Sequence, residues 1–220
     1  MQRKIITTAD GSKTIFLPDW NEQYHSKHGA LQEAMHVFIT HGLHVVNKEK
    51  INILEIGFGT GLNAFITFLE TQKLSKTIFY TGVDHFPIQI DEIEELDHLS
   101  MFEEKLVKDE YYKIQSCIWE QQVEISRNFT LQKKAEQFEN LQFDHDFDLI
   151  YFDAFGPRVQ PSLWTEEIFT RMHNALSLGG ILVTYCAKGS VRRAMQAVGF
   201  ETERLPGPPG KREMLRATKV

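Results

Sequence analysis

The sequence predicts an α/β fold: a doubly wound, mostly parallel sheet with helices on both faces. Three stretches carry that expectation. Ile53-Leu54-Glu55-Ile56-Gly57-Phe58-Gly59-Thr60-Gly61-Leu62-Asn63 takes an apolar run through a glutamate into glycines at alternate positions, then resumes a helix-forming pattern. Ile78 to Asp84 and Phe147 to Asp153 are two further apolar runs, each ending in a carboxylate. Strands buried on both faces read as near-continuous apolar runs, and strands alternating with helical patterns indicate a parallel sheet.

The elements follow in order. Residues 1–20 read as a β-hairpin, with Ile5-Ile6 and Thr14 to Leu17 flanking an Asp10-Gly11 turn. A helix runs from about Ala30 to Val46, because Leu31, Ala34, Met35, Phe38, Ile39 and Leu43 recur at helical spacing. Strand 51–56 leads to a helix from Leu62 to about Gln72, and strand 78–84 to a helix near 88–96. Residues 100–118 read as helical without a clean stripe, followed by short strands at 123–125 and 129–132. Strand 147–153 passes into a Pro/Gly loop over 154–162 and a helix from Trp164 to Leu176, with Gly179-Gly180 as its stop signal. Strand 181–186 and helix 190–198 complete the alternation. Strands 200–205 and 213–218 lack a crossover helix, so they add one antiparallel strand near the C-terminus. With no repeat or linker, residues 1–220 read as one domain: an N-terminal hairpin and helix (1–48) and a sheet-based core (49–220).

Composition bounds the function. The 220 residues, 42% of them apolar, suit a soluble globular domain. No run is long enough to span a membrane, and the N-terminus has no apolar leader, so a cytoplasmic protein without membrane partners is expected. Cys117 and Cys186 have no metal-ligand spacing; free thiols and no metal are expected. The net charge of −6 argues against non-specific nucleic-acid binding. A basic C-terminal segment, including Lys188, Arg192, Arg193, Lys211 and Arg212, leaves room for a local anion-binding face.

Ligands of such sheets lie beyond the carboxyl ends of the strands. Gly57, Gly59 and Gly61 let the backbone approach a ligand closely. A dinucleotide requires G-x-G-x-x-G; here the spacing is Gly-x-Gly-x-Gly, preceded by Glu55. A carboxylate repels a pyrophosphate but favours a ligand carrying an ammonium and a sulfonium. S-adenosylmethionine is therefore the expected cofactor, with Glu55 at its ammonium and Asp84 at its ribose hydroxyls.

At this point the chain resembles a known family, that of the tRNA-modifying methyltransferases MnmC and MnmD. The resemblance rests on Tyr24-His25-Ser26 with Gly29 and Val37-Phe38; on Glu55 to Asn63; and on Asp84-His85-Phe86-Pro87. It continues through Asp153-Ala154-Phe155-Gly156-Pro157 with Pro161 and Trp164-Thr165. It ends on Ser190-Val191-Arg192-Arg193, Gly199-Phe200 and Gly210-Lys211-Arg212-Glu213-Met214-Leu215. It implies a Rossmann-like methyltransferase fold that N-methylates 5-aminomethyl-2-thiouridine at the wobble position, with the tRNA anticodon arm as partner. The bidomain relatives also carry an oxidase, for which 220 residues leave no room, so the stand-alone form is the closer likeness. The family's aspartate near the adenine is absent; the region reads Lys133-Lys134-Ala135-Glu136, and Glu136 is the substitute.

The resemblance implies site roles. Asp153 positions the amine and helps remove its proton, or else caps its loop. Asn63 belongs with the cofactor loop. Tyr24, Phe155, Pro157, Trp164, Lys211 and Arg212 are the substrate-side candidates. Trp164 either stacks on the uracil or packs the loop, and Tyr24, His25 and His28 form a lid. Lys211, Arg212, Arg192 and Arg193 contact phosphates, which positions RNA without reading sequence. Two rivals stand beside this reading: an aminopropyltransferase of the spermidine-synthase type, which shares the aspartate and Gly-Pro loop, and a non-catalytic RNA-binding module. An NAD-dependent oxidoreductase is disfavoured by the glycine spacing. Protein partners are left open by the sequence.

Overall fold

The computed structural model describes residues 2–7, 13–24, 29–102 and 108–220. Strands β1 (Lys4–Thr7), β2 (Lys13–Leu17) and β3 (Glu22–Gln23) form a small antiparallel sheet, adding a third strand to the expected hairpin. The Asp10-Gly11 turn lies outside the described residues.

The main sheet has eight strands. They are β4 (Lys50–Ile56), β5 (Thr77–Asp84), β6 (Gln122–Ser126), β7 (Phe129–Ala135), β8 (Phe147–Phe152), β9 (Leu176–Thr184), β10 (Phe200–Pro206) and β11 (Glu213–Lys219). Their order across the sheet is β10-β11-β9-β8-β4-β5-β7-β6. Strands β9, β8, β4, β5 and β7 are parallel, and β11 pairs antiparallel with β9 as expected near the C-terminus. Strand β6, antiparallel to β7, is a second reversal that the sequence reading did not assign. The chain leaves β4 toward β5 on one side and later returns through β8 on the other. The strand order therefore reverses at the β4–β8 junction, where ligands of open α/β sheets sit.

Alternation along β4 shows how the sheet is buried. Ile51 and Ile53 enter one apolar cluster, with Phe38, Phe65 and Phe129; Leu54 joins the other, with Ile150, Phe152 and Phe169. Helices α1 (Ala30–Ala34), α2 (Leu62–Lys73), α3 (Ile90–Leu96), α4 (Lys108–Ser116), α5 (Glu166–Ala175) and α6 (Gly189–Ala197) accompany the sheet.

Four expectations need correction. The helix expected over 30–46 is α-helical only to Ala34; residues Met35–Thr40 wind as a wider π-helical turn. There the His41 N–H reaches the His36 carbonyl at 3.3 Å, and the Thr40 hydroxyl donates to the Met35 carbonyl at 3.0 Å. Gly179-Gly180 does not stop a helix. It lies within β9, where the register against β8 shifts between Phe147↔Leu176 and Leu149↔Ile181. Helix α5 ends earlier, at Ala175, where the Lys219 ammonium takes the His173 and Leu176 carbonyls at 2.7 and 2.8 Å. The helix expected from Trp164 begins at Glu166, with the Thr165 hydroxyl accepting from the Ile168 N–H. Finally, the short strand expected over 129–132 does not end there: β7 continues to Ala135. Its Lys133 is buried because its ammonium donates to the Ile114 and Gln115 carbonyls at 3.2 and 2.8 Å and lies 5.1 Å from the Trp119 ring centre.

Candidate active site

A cavity of 470 Å³ opens beyond the carboxyl ends of β4, β5 and β8, within the usual size range for small-molecule sites. Its floor is the glycine loop. The Gly57 and Phe58 N–H groups both donate to the Val83 carbonyl, and the Asp153 N–H donates to the Ile56 carbonyl. These bonds tie three strand ends together. Gly57 has φ +91°, and a Cβ there would lie 2.7 Å from the Asp153 carbonyl oxygen; only glycine fits.

Asp84 is fixed at both oxygens. The Gly59 N–H donates to Oδ2 and the Phe86 N–H to Oδ1, each at 2.8 Å. A carboxylate has about four acceptor sites, so two remain for hydroxyl donors in the cavity. Burial raises the Asp84 carboxyl above its ordinary range, while the two N–H bonds oppose that shift.

Glu55 occupies a different place from the one expected. It is fully buried and does not line the cavity. Its Oε1 accepts from the Asn63 amide at 2.8 Å, and its Oε2 accepts from the Tyr80 hydroxyl at 2.8 Å. Position 55 lies on the face of β4 that carries Ile51 and Ile53, so the side chain enters the core beneath α2. Burial pushes this carboxyl well above the ordinary range. The cavity-facing group is Asn63, whose amide also donates to Asp153 Oδ2 at 2.9 Å. One amide thus holds two carboxyls, one sealed and one open to the cavity.

Asp153 is pushed up to about 8, chiefly by burial and next by the nearby Glu33; the Asn63 bond and Lys211 pull the other way. Glu33, on α1, lines the cavity and forms an ion pair with Lys211 on the loop between β10 and β11. The Lys211 ammonium also lies 3.8 Å from the centre of the Tyr185 ring, and the Tyr185 hydroxyl donates to the Ala154 carbonyl at 2.9 Å. Sequence reasoning missed Glu33 and Tyr185. Glu33 reads as one polar residue in an amphipathic helix, and Tyr185 as the end of a strand.

The other substrate-side candidates divide. Tyr24 and Phe155 line the cavity and pack edge-on with ring centres 5.1 Å apart; Trp20 meets Phe155 at 5.5 Å. Burial, then Asp84, raises the Tyr24 phenol to about 12. Trp164 is buried between Phe152 and Phe169, and its indole N–H donates to the Phe155 carbonyl at 2.8 Å. Of its two readings, the packing one fits this geometry. Pro157 and Glu136 are half-buried and outside the lining residues; Phe138 lines the cavity beyond β7 instead. Arg212 is exposed beside Lys211, and Arg193 is exposed on α6. His25 and His28, the rest of the expected lid, lie outside the described residues.

Among the described residues no group of His, Cys, Asp or Glu is placed to hold a metal ion, and no helix is long and apolar enough to cross a membrane. The residues present fit S-adenosylmethionine: a glycine floor that a Cβ would fill, a carboxylate with free acceptor sites beside it, and an acidic wall for a cationic ligand. A family model described as S-adenosyl-L-methionine-dependent methyltransferase (Methyltransf_30) matches residues 102–220. That is more than half of the chain, and the chain belongs to this family. Its cofactor is S-adenosylmethionine.

The chain is 28% identical over 210 residues to the tRNA 5-methylaminomethyl-2-thiouridine biosynthesis bifunctional protein MnmC of Ectopseudomonas mendocina, covering 89% of this chain and 32% of that protein. It is 26% identical over 224 residues to the protein of the same name from Cupriavidus metallidurans, covering 95% and 33%. The chain thus spans about a third of the length of the curated relatives it matches. Among solved structures, MNMC2 from Aquifex aeolicus matches with a TM-score of 0.74 at 22% identity, over 98% of this chain and 70% of that one. Spermidine synthase from Thermotoga maritima matches with a TM-score of 0.54 at 15% identity, over 99% and 73%. These two likenesses concern the fold.

Proposed function

We propose that this methyltransferase N-methylates the 5-aminomethyl group of 5-aminomethyl-2-thiouridine at the wobble position of tRNA, in the cytoplasm. The observation that carries the reading is Asp153: a carboxyl facing the cavity at the strand-order reversal, held by Asn63 and raised to about 8. Such a group matches the proton of an alkylammonium better than an ordinary aspartate does, because proton transfer is most effective when the acceptor's pKa lies near the working pH. The names of the relatives support the choice of acceptor.

S-adenosylmethionine, when bound, would supply an electrophilic methyl group on a sulfonium whose sulfur is the leaving group. The protein's part is alignment and proton removal. Asp84 would receive the ribose hydroxyls, and the loop Gly57–Gly61 would admit the cofactor. Asn63 anchors Asp153 from behind, leaving Oδ1 to accept an N–H of the acceptor amine. Asp153 takes the ammonium proton and leaves the nitrogen lone pair directed at the methyl carbon. Phe155 and Tyr24 give an aromatic wall for the base, since a flipped base is read by stacking and edge contacts. Glu55 acts through Asn63 as a positioning residue. Exposed Arg212 and Arg193 supply phosphate contacts.

Radiolabelled S-adenosylmethionine tests this. Label is expected in tRNA bearing the aminomethyl group and not in tRNA lacking it; equal labelling of both overturns the acceptor. A second reading has one observation in its favour. Glu22, Glu33, Asp84 and Asp153 line the cavity against one lysine, which also suits a free polyamine. Product formation from a decarboxylated cofactor and a diamine, without tRNA labelling, would establish that reading instead.

A further inference from the structure

The acceptor side of the cavity already holds an ammonium, and it belongs to the protein. Lys211 Nζ pairs with Glu33 inside the cavity wall and lies over the face of Tyr185, the arrangement in which an aromatic ring attracts a cation. Glu33 lies near enough to raise the Asp153 carboxyl, and Lys211 acts on Asp153 in the opposite sense. The carboxylate, the ring face and the neighbouring acceptor carboxyl together form a cation site next to the proton-accepting group. The lysine reaches it from the loop between β10 and β11. That loop is anchored separately at its start, where the Pro206 carbonyl meets His36 Nε2 at 2.8 Å. The loop backbone is also closed on itself, with the Gly207 N–H donating to the Arg212 carbonyl at 3.1 Å and the Lys211 N–H to the Pro208 carbonyl at 2.9 Å, so the Lys211 side chain can leave Glu33 while the loop stays in place.

We infer that Glu33 is the specificity residue for a cationic acceptor, and that Lys211 is a placeholder which the acceptor's ammonium displaces. This rests on the amine-methylation reading above. Burying an unpaired carboxylate beside Asp153 is costly, and the resident lysine keeps Glu33 paired while the acceptor is absent. The exchange conserves charge: one ammonium leaves Glu33 as another arrives. An acceptor with a neutral hydroxymethyl group cannot make the exchange, because it leaves Lys211 in place and its own substituent without room. The displaced Lys211 ammonium then faces outward beside Arg212, where a polyanionic backbone can receive it.

The pair of variants Glu33→Gln and Lys211→Met separates this from a structural salt bridge. Calorimetric titration of the full chain, saturated with S-adenosylhomocysteine, uses 5-aminomethyluridine and 5-hydroxymethyluridine nucleosides as probes. The wild type is expected to prefer the aminomethyl nucleoside by about tenfold or more, the worth of one charge-assisted contact. Glu33→Gln is expected to lose that preference. Lys211→Met is expected to bind the aminomethyl nucleoside several-fold more tightly, because its competitor is gone. A structural bridge moves both variants the same way, so weaker aminomethyl binding in Lys211→Met overturns the placeholder, as does a preference that survives in Glu33→Gln. If Glu33→Gln fails to fold, the sign of the Lys211→Met change decides alone. Amine preference without tRNA labelling would remove the tRNA reading and leave the cation site standing. Labelling without amine preference would do the reverse.

Discussion

The two walls of the cavity are built in different ways. The cofactor wall comes from one contiguous stretch, β4 through the glycine loop to α2, joined by the end of β5. Its polar groups are bonded mostly within these elements: Asp84 accepts from two loop N–H groups, and Asn63 donates to the carboxyl eight residues before it as well as to Asp153. The acceptor wall is assembled from α1, the loop after β8, Tyr185 and the loop after β10, and its contacts join residues 31 to 178 positions apart, Tyr185 to the Ala154 carbonyl and Lys211 to Glu33. On the function proposed above, the first wall receives the cofactor and the second is where one acceptor is told from another.

The contrast can be tested in order of effect. Asp153→Asn strikes the acceptor wall hardest: turnover is expected to fall by about 10²–10⁴-fold, the usual worth of a positioned proton acceptor, with cofactor affinity retained. Single-turnover kinetics beside a cofactor titration reads both, and a near-normal rate would remove Asp153 from the chemistry. Gly57→Ala strikes the shared floor. A Cβ 2.7 Å from the Asp153 carbonyl, at φ +91°, is expected to cost roughly 1–3 kcal/mol in denaturant unfolding and to weaken cofactor binding as well.

The pH dependence sharpens the picture of Asp153. Its folded value of about 8 lies above the ordinary 3.8, so the folded chain holds this proton more tightly than the unfolded chain. The resulting stabilisation is complete below the lower value and is lost as pH rises through the upper one. The melting temperature of Asp153→Asn relative to wild type should therefore climb between about pH 4 and pH 8 and level off above that. Turnover of the wild type should rise over the upper part of that window, because only the deprotonated carboxyl accepts the proton. A flat melting difference would mean that Asp153 titrates normally.

Smaller effects are expected behind the walls. Trp164→Phe loses the bond to the Phe155 carbonyl and should cost about 1 kcal/mol of stability with little change in turnover. Glu55→Gln keeps an acceptor for Asn63 and can donate to the Tyr80 oxygen, so cofactor affinity should stay within about twofold. A direct ammonium ligand would lose about tenfold or more. That larger loss would return Glu55 to the cofactor.

The same contrast explains what could be read in advance. The strands and glycine loop were legible because apolar runs and glycine spacing are local signals. Glu55 was read as a ligand because its position at a strand end is visible, whereas the side of the strand it occupies depends on register against β5 and β8. Gly179-Gly180 looked like a helix stop because two glycines after a helical pattern usually are. The helix instead ends at Ala175, and the carbonyls at that end are taken by the Lys219 ammonium, more than 40 residues away in sequence. Glu33 and Lys211 carried no joint signal, since a pair separated by 178 residues has no spacing to recognise.

The wide turn at Met35–Thr40 has a bearing on how this chain tolerates changes of length. A π-helical turn is a helix that has absorbed one extra residue without passing the displacement along. Elsewhere in the same helix an added or lost residue would swing everything beyond it by about 100°. On the N-terminal side of the turn that would carry Glu33 away from Lys211; Val37, Phe38 and Ile39, inside the turn, stay in the core. Residues 35–40 are the one stretch of this helix already wound to take up such a change, so they are where an insertion or deletion between Glu33 and the sheet can be absorbed with the acceptor wall left in register.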